Sequence, residues 1–151
     1  MSEQSQTAVN AIEIRIESIA QLFDSLDPSP FNEKDLDKDA EEFIVSWARE
    51  LPSDIPMKIV VHLPKEQLAL PDAKEIRPAI TRFFSYRAQV TGLELKELFR
   101  IGRRSLPIEI FFYEWRPIAR RRDFYRRLAS TKVELSPYRP GEKRQQVLPK
   151  E

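Results

Sequence analysis

The chain has 151 residues, about the length of one domain, of which 41% are hydrophobic and 32% charged. It contains no cysteine and one histidine, which excludes disulfides, cysteine-ligated metal sites and most histidine-dependent catalytic arrangements. The formal net charge is +1, but residues 1–75 carry a net −9 and residues 76–151 a net +10. We therefore assign no catalytic, cofactor-binding or metal-ligating residues, and we infer no small-molecule substrate.

The first half of the chain predicts a strand, a helix and a second strand. Residues 11–17 alternate apolar and charged side chains, and residues 57–63 alternate similarly between two prolines. Residues 39–51 show helical spacing of apolar positions, and Asp39 followed by Glu42 fits a capping box at the start of that helix. Pro52 then ends the helix.

The second half predicts two helices and a third strand. Apolar positions recur at helical spacing over residues 75–104, which gives a helix about 45 Å long that must project, kink or meet another element. Residues 108–115 fit a helix or an aromatic-rich strand, and we favour the helix, with Pro117 starting or kinking a segment that continues to residue 128. Residues 132–136 alternate again and predict a short strand.

This order of elements, β-α-β-α-α-β, predicts a mixed α+β fold in which helices cover a small three-stranded sheet. The first crossover should be right-handed and join parallel strands, whereas the paired helices should return the last strand antiparallel. We expect one domain over residues 11–136, with a disordered head (residues 1–10) and a disordered tail (residues 137–151).

The most informative region is the arginine-rich stretch from residue 100 to residue 127. Guanidinium groups bind phosphate bidentately, and tyrosine and tryptophan suit the boundary between apolar and aqueous phases. This composition indicates contact with the headgroups of an anionic membrane surface. The candidate interface residues are Arg100, Arg103, Arg104, Tyr113, Trp115, Arg116, Arg120, Arg121 and Arg122.

Several alternatives stay open on the residues alone. The arginines could balance the acidic half within the same molecule, or they could bind a nucleic-acid backbone while the aromatic rings stack on bases. A small carboxylate-dependent enzyme near His62 is a further alternative, marked by a deep pocket with clustered Asp or Glu. The acidic half could also serve recognition of a protein partner or self-association.

Three segments, at residues 19–31, 98–106 and 107–118, resemble an uncharacterised bacterial membrane-protein family. The resemblance implies a cytosolic α/β domain that is interrupted by a transmembrane hairpin between the positions of Leu106 and Pro107. In this sequence the two flanks are joined directly. Removal of the two spans would give this junction, and so would a naturally soluble relative; the flanking arginines favour removal, because they fit the cytoplasmic side of two spans.

We therefore expect a non-enzymatic, cytosol-facing domain at the cytoplasmic face of the bacterial inner membrane. The arginine-rich helical region would contact anionic lipid headgroups. The longest unbroken apolar run covers only residues 110–113, so no stretch of this sequence predicts a transmembrane helix.

Overall fold

The computed structural model describes residues 9–30, 33–105 and 107–139, without the side chains of Arg103, Ser105, Phe111 and Phe112. One sheet contains the strands β1 (Asn10–Arg15), β2 (Met57–Pro64) and β3 (Lys132–Tyr138). The helices are α1 (Lys38–Glu50), the one-turn α2 (Lys65–Leu68), α3 (Ile76–Ser105) and α4 (Ile108–Ala129). Short 3₁₀ turns occupy Ile19–Leu22 and Pro71–Glu75. The predicted α+β fold, its β-α-β-α-α-β order and the single long helix are confirmed.

The strands lie in the order β1-β2-β3, and all three run parallel. Ile12 pairs with Ile59 and Ile14 with Val61, so the apolar residues of β1 and β2 share one face of the sheet. Val133 of β3 extends this face from the other side of Ile59. The parallel β1–β2 pair confirms the first predicted crossover, whose handedness stays a prediction.

The prediction that the last strand runs antiparallel is wrong, and the reason is the unequal length of the two long helices. α3 has 30 residues and α4 has 22. The contacts of Glu94 with Arg121 and of Phe99 with Trp115 bring the end of α4 level with about Ser85. The first ten residues of α3 therefore cross the sheet without α4 beside them. They cover about 15 Å, which is also the length of four or five residues of a strand. The chain leaves α4 at the amino-terminal edge of the sheet, so β3 starts there and runs parallel.

The core lies between one face of the sheet and the helices. The strands contribute alternate aliphatic residues, and α1 contributes Ile44 and Ala48. From α3, Ile76, Ile80 and Phe84 reach the core, and each of them is fully buried. These positions lie three or four residues apart, so they form one stripe on the first turns of α3. The base of α3 is thus held on the sheet by its own apolar face.

The opposite face of the sheet carries charged side chains. Lys58 and Lys132 are paired in register, and like charges placed opposite each other are destabilising. Glu134 offsets this repulsion, since its carboxylate lies 3.3 Å from the ammonium of Lys58 and 3.2 Å from that of Lys132. Hydrogen bonds from Lys132 and Lys58 hold the pKa of Glu134 below its ordinary value of 4.5.

This depressed pKa predicts how acid affects stability. A carboxyl group with a lower pKa in the folded than in the unfolded chain stabilises the fold above its unfolded pKa, and this contribution disappears as the pH falls through the folded pKa. We expect the urea-unfolding midpoints of the wild-type chain and of Glu134→Gln to differ above pH 4.5 and to converge below it. If the difference between the two unfolding midpoints stayed constant from neutral to acidic pH, this role of Glu134 would be contradicted.

Some element boundaries differ from the sequence prediction. α1 begins at Lys38, and its cap is Asp37, whose carboxylate accepts a hydrogen bond from the Asp39 amide at 3.0 Å; the predicted start at Asp39 is therefore wrong. The strands reach Asn10 at one end and Tyr138 at the other, so the ordered domain extends past both predicted limits. The predicted disorder of residues 1–8 and 140–151 lies outside the described residues.

The end of β3 is fixed by a contact that crosses the sheet. The hydroxyl of Tyr138 donates a hydrogen bond to the carbonyl of Ile16 at 2.8 Å, and the guanidinium of Arg15 lies 4.1 Å from the centre of the Tyr138 ring. Tyr138 therefore joins the last strand to the end of the first one, across β2.

Candidate functional site

α3 and α4 form an antiparallel hairpin that extends beyond the sheet. The core residues of α3 end at Phe84, and farther along this helix Thr91 and Leu95 are buried where α4 packs against it. From Phe84 to the end of α3 at Ser105 the helix continues for about 30 Å. We call residues 100–105 and 107–120 the hairpin tip. It lies at the far end of the molecule from the first turns of α3.

The structure separates the arginines of this region into two groups, and the first group has protein partners. Arg100 binds Glu97 at 2.6 Å and Arg121 binds Glu94 at 3.1 Å. Arg122 contacts Asp123 at 3.3 Å. These pairs are exposed to solvent, so they contribute little to stability.

The second group comprises Arg104, Arg116 and Arg120, whose side chains are exposed and form no ion pair with any described residue. Arg116 lies over the ring of Trp115, 5.9 Å from its centre. The predicted interface residue Arg103 lies on α3, but its side chain is outside the described set. The tip therefore presents several guanidinium groups to solvent.

The acidic half of the chain does not supply the partners of these arginines. Across the described residues, no arginine between positions 100 and 127 forms an ion pair with a carboxylate from residues 1–75. Arg127 does reach the first half, but it donates hydrogen bonds to the carbonyls of Pro52 and Ile55, at 2.8 and 2.9 Å. Arg127 thus anchors the loop before β2, whereas Arg104, Arg116 and Arg120 of the tip have no ion pair with a described residue.

The two candidate aromatic residues have different environments. Tyr113 is 82% exposed. Trp115 is partly buried, because its ring packs 6.1 Å from that of Phe99 and so joins α4 to α3. The indole nitrogen of Trp115 is buried and has no hydrogen-bond partner among the described residues. Tyr113 is therefore available for contact with another molecule, whereas Trp115 holds the hairpin together.

The tip also exposes isoleucines that the sequence analysis did not select. Ile108 is 74% exposed, and Ile101 and Ile110 are exposed as well. For Ile110 the sequence signal was the apolar run at residues 110–113, because four consecutive apolar residues point to every side of a helical turn. Large apolar side chains and guanidinium groups thus occur together at the tip.

The features proposed for an enzyme lie apart from one another. The imidazole of His62 is 3.1 Å from the Glu13 carboxylate on the charged face of the sheet. A carboxylate-rich cavity of about 750 Å³ lies elsewhere, between the loop that carries Asp24 and Asp35 and the side of α3. Its Asp27 accepts hydrogen bonds from the amides of Ser29 and Asp35, which shape the loop. Among the described residues no group of His, Asp or Glu side chains forms a metal site.

Within the described residues, no helix combines the length and apolar character needed to cross a membrane. No protein family, curated protein or solved structure matches the chain.

Proposed function

We propose that this chain is a non-enzymatic, cytosol-facing domain of a bacterial inner-membrane protein, and that it contacts anionic lipid headgroups through the tip of its α3–α4 hairpin. The sheet and the base of the hairpin would act as a rigid support. The tip would act as the contact surface.

One observation carries the proposal: exposed apolar residues lie together at the tip with arginines that have no ion pair with any described residue. Ile108 and Tyr113 are large and largely exposed, and Arg104, Arg116 and Arg120 lie within a few helical turns of them. An anionic membrane interface accommodates both kinds of side chain, because the apolar groups leave water while the guanidinium groups stay at the level of the phosphates. A nucleic-acid backbone would use the arginines but leave the isoleucines in water.

The charge of the tip supports the same assignment. It carries five arginines and two glutamates, Glu109 and Glu114, so its net charge is +3. Each basic residue near an anionic surface contributes about 1 kcal/mol of attraction. The two glutamates reduce this attraction, so the apolar residues are needed for lasting contact.

The resemblance to the bacterial membrane-protein family supports the proposal from another direction. In that family a transmembrane hairpin would lie between the positions of Leu106 and Pro107, and in this fold those positions connect α3 to α4. Two spans entering at this point would continue the two antiparallel helices without a change in the fold of the domain. The flanking arginines would then lie on the cytoplasmic side.

Vesicle co-sedimentation tests the proposal. The chain should bind vesicles of equal parts phosphatidylglycerol and phosphatidylcholine, and it should bind pure phosphatidylcholine vesicles far more weakly. The triple variant Arg104→Ser, Arg116→Ser, Arg120→Ser should reduce binding to the anionic vesicles about 100-fold at about 0.1 M salt, because three attractive contributions are lost.

A matched control removes the same charge elsewhere. Lys65, Lys74 and Arg77 are exposed at the opposite end of the molecule, where α3 begins. Changing all three to serine should leave vesicle binding near the wild-type level. Equal losses in both triple variants would show that net charge alone governs binding, and salt-dependent DNA binding without vesicle binding would favour the nucleic-acid alternative.

A further inference from the structure

A groove of about 780 Å³ runs along one side of the hairpin, between α3 and α4. Ala88, Gly92 and Leu95 form much of its inner surface, Ala129 lies at the end near the sheet, and Phe99 lies at the end near the tip. Gly92 contributes no side chain, and a Cβ atom at this position would lie 3.6 Å from the Arg122 side chain. The groove thus has an apolar surface that leads toward the tip.

The charged residues of the groove are all cationic, and its other polar residues are the uncharged Ser85, Gln89 and Ser130. Lys96, Arg122 and Arg126 line it, and none of the described lining residues is Asp or Glu. Arg122 donates from Nε and Nη2 to one oxygen of Asp123, at 3.3 Å in each case, so its interaction with this neighbour is weak. Lys96 and Arg126 have no ion pair with another described residue. An apolar groove whose cations are weakly paired, or have no ion-pair partner among the described residues, is complementary to an anionic amphiphile.

The size of the groove favours a lipid over a peptide helix. A volume of about 780 Å³ falls within the range typical of sites for small ligands. From the level of Arg126 to Phe99, α3 rises about 16 Å, and a peptide helix of that length occupies roughly 1,500 Å³ at its usual diameter. A single extended acyl chain fits the groove, whereas a helix would rest on its rim.

We propose that this groove binds a single anionic lipid molecule, with its phosphate at Arg122 and Arg126 and one acyl chain extended over Gly92 and Leu95 toward Phe99. Arg122 and Arg126 lie nearer the sheet than Phe99 does, so the chain of the bound lipid points toward the bilayer. This inference rests on the proposed membrane contact and adds a specific lipid site to it. The headgroup would be held by paired charges and not by diffuse attraction alone.

The test uses lysophosphatidic acid below its micelle-forming concentration. Trp115 packs on Phe99 at the end of the groove, and Trp47 is the only other tryptophan, so Trp47→Phe leaves Trp115 as a fluorescent reporter. We expect saturable binding of one lysophosphatidic acid per chain. Lysophosphatidylcholine should bind much more weakly, and inorganic phosphate should not compete because it lacks an acyl chain.

Two substitutions test the two ends of the groove. Gly92→Leu places a side chain on the apolar surface, where the first added carbon has ordinary contact distance to Arg122, so the fold should persist. Arg126→Gln removes a cation that has no ion pair within the described part of the chain. Each substitution should weaken lysophosphatidic acid binding at least tenfold. Arg77→Gln, an exposed arginine of α3 outside the groove, should leave it unchanged.

The lipid site in the groove and the membrane contact of the tip can be tested independently of each other. The triple arginine variant of the tip should lose vesicle binding but keep lysophosphatidic acid binding, and Gly92→Leu should show the reverse pattern. Unchanged lysophosphatidic acid binding in both groove variants would overturn the lipid site. Saturable binding of an acidic amphipathic peptide, with no response to lysophosphatidic acid, would also overturn it, since the groove would then take a peptide.

Discussion

Phe84→Ala should lower the free energy of unfolding by about 3–5 kcal/mol, the usual cost of truncating a buried phenylalanine. Phe84 is fully buried where α3 lies on the sheet. Its ring lies 5.3 Å from that of Phe83 and 6.4 Å from that of Tyr125 on α4. Truncation would therefore leave a cavity at the point where the sheet, α3 and α4 meet.

A matched substitution separates this effect from the loss of any aromatic ring. Phe43 on α1 is 41% exposed, although its ring lies 6.2 Å from that of Trp47. Phe43→Ala should cost about 1 kcal/mol, because less apolar surface is returned to water. Urea unfolding followed by circular dichroism measures both values. If the two variants lost similar stability, the base of α3 would not be the main junction of the core.

The elements of this fold were predictable because their apolar patterns are local. The alternation of Ile12 and Ile14 with charged residues defines β1, and the stripe that includes Ile76 and Ile80 defines the start of α3. The direction of β3 was not predictable in the same way. It depends on how far α3 runs past the end of α4, and the contact of Phe99 with Trp115 that sets this offset joins residues on different helices.

The candidate site shows the same division between local and spatial information. The sequence identified the arginine-rich region, but it could not separate Arg127, which binds two carbonyls, from Arg104, which has no ion pair with a described residue. Nor could it separate the exposed Tyr113 from the packed Trp115. These distinctions arise from the partner that each side chain meets across the hairpin or across the sheet.

The position of the helix start illustrates a smaller ambiguity. Asp37 and Asp39 both precede apolar helical positions, and aspartate is favoured at a helix N-cap. The structure uses Asp37, and Asp39 then lies in the first turn, where a carboxylate interacts favourably with the helix dipole. Both residues therefore stabilise the same end of α1, and the sequence pattern alone does not distinguish their roles.

The double variant Ile108→Ser, Tyr113→Ser should lose about 3–5 kcal/mol of affinity for anionic vesicles, a reduction of more than about 100-fold. Both side chains are largely exposed, at 74% and 82%, so their loss should leave the fold and its unfolding midpoint nearly unchanged. Burial of a large apolar side chain contributes about 1.5–3 kcal/mol, and at the tip this gain is available only if the residues enter the membrane interface.

The salt dependence of binding then distinguishes apolar insertion from charge attraction. Apolar transfer is hardly screened by salt, whereas attraction between exposed charges is screened within about 10 Å at about 0.1 M. The wild-type chain should retain part of its vesicle binding at high salt, and the double variant should lose that residual part. The control variant Leu26→Ser, Tyr86→Ser removes one exposed aliphatic and one exposed tyrosine side chain away from the tip. It should change vesicle binding neither at low salt nor at high salt. If the tip variant kept wild-type binding at high salt, the isoleucine and tyrosine would stay in water, and the contact would be electrostatic alone.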